Sequence, residues 1–108
     1  MEQIPRHVKR ALRQAATLAH EEELRRALVP LADSFSAWRD GKISSGELAD
    51  VIHKFHNGSD RALSKKYNDA PLELVVAHAV VTGVLDRAQL SEELLQHLQR
   101  AIAFYEQV

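Results

Sequence analysis

From Ile4 to Trp38 the apolar residues recur at steps of three and four, and this rhythm constrains the fold more than any other feature of the chain. Ile4, Val8, Ala11, Ala15 and Leu18 make one run; Leu24, Leu28, Leu31, Phe35 and Trp38 make a second. A helix places such positions on one face, whereas a strand alternates faces at every residue. The phase slips across Ala19–Glu23. The segment therefore reads as one helix of about 35 residues or as two helices broken near His20. Unbroken, it would span about 50 Å, longer than a compact domain of this size. Pro5 suits the first turn, where its missing N–H leaves no bond unmade. Pro30 falls inside the second run, where it removes a backbone bond and crowds the Arg26 carbonyl, so a kink is predicted there.

The remainder also reads as helix. Asp40-Gly41 ends the long segment, and Ser44-Ser45-Gly46-Glu47 has capping-box spacing. Leu48, Val51, Ile52 and Phe55 form the next stripe, which Asn57-Gly58 is predicted to stop. Ser59 or Asp60 would then cap a short helix from Arg61 to about Tyr67. Pro71 starts a helix over Leu72–Thr82 that is apolar nearly all round, as suits the middle of a core or a subunit interface. Gly83 closes it, and Ser91 caps a final helix carrying Leu94, Leu95, Leu98, Ala101, Ile102 and Tyr105. Only 4 Gly and 3 Pro occur, mostly between these periodic segments, which favours helix over sheet. The fold expected is all-α: an irregular bundle of about five helices forming one domain over residues 1–108.

Cysteine is absent, so disulfides, thiolate nucleophiles and cysteine metal sites are excluded. The first ten residues contain no apolar segment of the secretory kind, and no apolar run approaches the ~20 residues of a membrane span. The location expected is cytoplasmic, without membrane insertion. The formal net charge is −1, so the chain as a whole has no field to recruit polyanions, and nucleic acid ranks below protein as a partner.

Polar chemistry is densest between Val51 and Tyr67. His53, His56, Asn57, Asp60, Arg61, Lys65 and Tyr67 form the candidate ligand or partner site, placed at a helix-turn-helix corner. His53 and His56 are three residues apart and can project to one side, with Asp60, His78 or His97 as further metal ligands. No H-E-x-x-H or repeated E-x-x-H accompanies them, so a pair of histidines at a helix C-terminus is the simpler reading. Residues 36–47 share spacing with a calcium loop, but Trp38 falls on a ligand position it cannot serve. Arg61 and Lys65 at a helix start could hold a phosphate, and Tyr67 could stack on a ring. The corner resembles a DNA-binding helix-turn-helix only loosely, because the second helix is about two turns long. Ser59 lies near His56 but lacks a nucleophile elbow, so it reads as a cap. No catalytic residue, metal or cofactor is assigned.

Two histidines and two aromatics complete the reading. His78 interrupts the apolar helix and reads as a buried, hydrogen-bonded histidine. His97 follows Glu93 by four residues, a helix-supporting pair. Phe35 and Trp38 are expected to fill the core opposite the valine-rich helix, with an interface anchor as the alternative for Trp38. The surplus of apolar helix face points to a non-enzymatic, self-associating protein–protein interaction module. The alternatives are a small ligand- or metal-binding protein or enzyme centred on the His53–Tyr67 corner, and a nucleic-acid-associated regulator using Arg6, Lys9, Arg10 and Arg13 or the Lys65–Lys66 pair.

Overall fold

The computed structural model describes residues 4–108, and every regular element among them is helical. Residues 1–3, which enter the reading of the first ten residues, lie outside that range. Helix α1 runs Arg6–Arg39 without interruption, 34 residues in one piece. The break considered near His20 does not occur. Ala19–Glu23 is composed mostly of good helix formers, and Glu23, four residues after Ala19 and four before Ala27, keeps the inner face in register. Pro30 is accommodated within the helix, and the Ser34 hydroxyl donates to the Pro30 carbonyl at 3.1 Å.

Gly41 ends α1 with φ 75°: its N–H donates to the Trp38 carbonyl and the Lys42 N–H to that of Ala37. This double closure is the left-handed helix stop that glycine favours. Ser44 then caps α2 (Ser45–Phe55), its hydroxyl accepting from the Glu47 N–H. The same closure recurs at Gly83 (φ 80°), after α4 (Leu72–Val81).

The predicted stop at Asn57-Gly58 is corrected by the structure. From α2 the chain passes through a wide π-helical turn, His56–Asp60, straight into α3 (Arg61–Asp69). Gly58 does not adopt positive φ, and neither Ser59 nor Asp60 caps a helix with its side chain. Packing accounts for the wide turn. Eight residues of regular helix would rotate Leu63 about 80° away from the direction of Phe55. One extra residue in a π-turn returns about 100°, so Leu63 and Tyr67 rejoin the inward face. The corner on which the candidate site was placed is therefore a nearly continuous helical rod.

The last helix also differs from the single segment expected. Ser91 caps it as read, with its hydroxyl accepting from the Leu94 N–H, but a turn at the buried Leu98 divides it into α5 (Glu92–His97) and α6 (Gln99–Glu106).

The main core cluster lies at one end of the molecule. Val8, Leu12, Ala15, Ala16 and Ala19 of α1 meet Val76, Ala77, Ala79 and Val80 of α4, and Leu85, Leu94, Leu98 and Ile102 complete the cluster. Small alanines on α1 let the valine-rich α4 approach closely. The buried positions of α1 stop at Ala19, yet the helix continues for about 30 Å. That second half has α2 and α3 beside it as an antiparallel hairpin, hereafter the arm. The molecule measures 58 × 27 × 24 Å as a result.

Candidate functional site

The seven residues expected to form one site are divided by the rod. His53, His56, Asn57, Arg61 and Lys65 are exposed on its outer sides. The Asn57 amide lies 3.0 Å from His53 Nε2, and His56 Nδ1 lies 3.3 Å from the Asp60 carboxylate. Each histidine thus pairs with its own neighbour one turn on, and the two do not converge. Among the described residues no three potential metal ligands come together. Four of the seven, His56, Asn57, Asp60 and Arg61, do come together with Ser64 around an open pocket of about 240 Å³. The N–H groups expected to be free at the start of α3 belong to a helix that is already running.

Tyr67 points the other way, into a polar cluster at the base of the arm. Its hydroxyl donates to the Glu23 carboxylate, and Lys66 Nζ reaches the same carboxylate at 3.0 Å. The His20 ring stacks on Tyr67, 4.7 Å between centroids and 8° from parallel. Burial alone would raise the Glu23 carboxyl; the hydrogen bonds from Tyr67 and Lys66, with the Lys66 charge, outweigh it and hold the group below its usual range. Burial first, and then the bond to the Glu23 carboxylate, push the Tyr67 phenol up. At neutral pH the cluster is a carboxylate held by a phenol and an ammonium, an arrangement that fastens α3 to α1. It has the chemistry of a latch. Its signal in the sequence was Glu23 itself, an acid standing where the inner-face register calls for an apolar residue.

Glu22, the residue immediately before Glu23, takes both Arg25 and Arg26, which hold its carboxyl at about 2. Arg26 also donates to the Gly83 carbonyl at 3.3 Å, tying α1 to the end of α4. Glu93 pairs with His7 across the bundle at 2.8 Å, in place of the expected His97. His78 is partly buried and meets the Tyr105 ring edge-on at 5.0 Å.

Beyond the latch lies the surface that the sequence misplaced. Phe35 and Trp38 do not pack against α4; they sit far out on the arm, each 40% exposed. Leu28 and Ile52 are exposed to the same extent. Leu28, Phe35 and Trp38 follow at steps of seven and three, one stripe of α1. Trp38 donates its indole N–H to the Ser45 hydroxyl at 3.1 Å, and Ile52 lies two turns along α2 from Ser45. All four side chains therefore share one flank of the hairpin. Leu48 is the one residue of α2 buried between the helices. On the opposite flank Pro30, Leu31, Val51 and Phe55 line a shallow groove. A two-helix layer has no third element to cover either flank.

Compared with known proteins, the chain matches no family model, and neither a curated protein nor a solved structure shows detectable similarity to it.

Proposed function

We propose that this protein is a non-enzymatic helical interaction module that self-associates through its arm. The observation that carries this reading is the flank formed by Leu28, Phe35, Trp38 and Ile52, four large apolar side chains left half in water. An amphipathic helix normally buries such a stripe, and two hairpins laid face to face would do so as a four-helix bundle. The pairing is isologous, since each copy offers the same flank. A face about 30 Å long and two helices wide covers on the order of 600 Å² per copy, near the lower bound for a specific dimer. At that size the association expected is weak, in the micromolar range.

Sedimentation equilibrium tests the proposal. The expected result is a monomer–dimer equilibrium at tens of micromolar. Phe35→Asp should weaken it about 100-fold, on the order of 3 kcal/mol, while leaving the helical fold intact. A monomer throughout that range would remove the proposal.

A further inference from the structure

The core end of α1 carries a second surface of different character. From Ile4 to His20 the sequence contains no Asp or Glu, yet Arg6, Lys9, Arg10 and Arg13 all fall there. Their steps place them within about 100° of arc on α1, and all four are exposed. Among the described residues no carboxylate lies within ion-pair distance of any of them; Arg39, Lys42, Arg61, Lys65 and Arg100 are unpaired too, and what sets these four apart is that they stand together on one face. Glu73 of α4 borders the same face beside Lys9 and Arg13 without pairing. Four adjacent cations repel one another, and the overall charge of −1 conceals this local excess.

The basic face leads directly into a groove of about 290 Å³ between α1 and α3, whose walls include Arg13, Thr17, His20, Tyr67 and Asn68. There the stacked His20–Tyr67 pair offers a planar surface that a further flat ring would extend. Asn68 sets an amide at the edge. Arg61 and Ser64 continue that side of α3, seven and four residues before Asn68.

We propose that this strip binds single-stranded nucleic acid, with phosphates on Arg6, Lys9, Arg10 and Arg13 and a base against the His20–Tyr67 stack beside Asn68. Three of the four cations are arginines, whose guanidinium fork matches phosphate oxygens. Stacking beside a cationic track is the chemistry by which proteins hold unpaired strands. A lipid surface suits the strip less well, because the apolar stripe of α1 is turned into the core and only the part-buried Ile4 and Leu72 border this face.

Fluorescence anisotropy of the full chain with labelled oligo(dT) and oligo(U) of about twelve nucleotides tests the proposal. Four phosphate contacts give a log–log salt slope of about −3. The double substitution Arg10→Gln and Arg13→Gln should flatten the slope by about 1.4 and weaken binding at least ~10-fold at low salt. His20→Ala should weaken binding with the slope unchanged. The proposal is overturned by no binding at about 20 mM salt, by equal binding of the double variant, or by tighter binding to phosphatidylserine vesicles than to either oligonucleotide.

Discussion

Glu23 and Tyr67 show how one pair of residues can decide where two helices meet. The inner face of α1 needs something at position 23, and a carboxylate there is tolerable because Tyr67 and Lys66 both donate to it. Removing the phenol oxygen by Tyr67→Phe should cost about 1–2 kcal/mol in urea unfolding, since a charged acceptor loses one of its donors. The pH dependence follows from the direction of the Glu23 shift. Its pKa is lower in the folded chain than in the unfolded one, so its contribution is complete above the ordinary carboxylate pKa of about 4.3 and is lost as pH falls through the folded value. Unfolding measured from pH 7 to about pH 3 should show the stability gap between the natural chain and Glu23→Gln narrowing with acidity. A gap independent of pH would show that the carboxylate charge contributes nothing. This latch was only half legible in the sequence. Leu63 and Tyr67 could be read as packing residues, and the acidic triplet Glu21–Glu23 was visible, but pairing residues 43 and 44 positions apart needs the tertiary fold.

At the level of elements, the glycines separate what local chemistry dictates from what packing overrides. Gly41 and Gly83 act as stops in both the sequence and the structure, each followed by the carbonyl closure that positive φ permits. Gly58 has the same kind of sequence context after Asn57, yet it is passed over because the rod gains more by carrying Leu63 and Tyr67 back to the inner face. The two cases give opposite expectations. Gly58→Ala should stabilise the protein by about 0.5–1 kcal/mol, because the new methyl meets open space and the unfolded chain loses freedom. Gly83→Ala should destabilise it by about 1 kcal/mol or more, because an L-residue is strained at φ 80°. Thermal unfolding of the two variants checks both signs at once. If Gly58→Ala were the more damaging, the continuous rod would be wrong. Most helix starts and ends were legible because caps, prolines and glycines act over a few residues. The π-turn was not, since its cause is a phase error that appears only once a partner face exists.

For the whole molecule, the periodic pattern announced a long helix and an excess of apolar surface but not where that excess lies. Spacing alone cannot separate a stripe that meets the core from one that runs past it: Phe35 does not reach the core, and Trp38 takes the exposed position of its alternative reading, because the buried face of α1 ends some five turns before Trp38, at Ala19. The elongated 58 × 27 × 24 Å shape divides labour between a packed end and an arm. Should the arm pair with its copy, charge and apolar surface would act at opposite ends of the chain. Trp38 is the only tryptophan and stands on the flank at issue, so its emission reports the event directly. The decisive measurement is that emission as a function of protein concentration, from about 0.1 to 100 µM, bracketing the micromolar association expected for an interface of this size. The expected result is a shift to shorter wavelength as the indole leaves water, abolished by Phe35→Asp. An emission maximum that stays fixed across the whole range would contradict the paired arm.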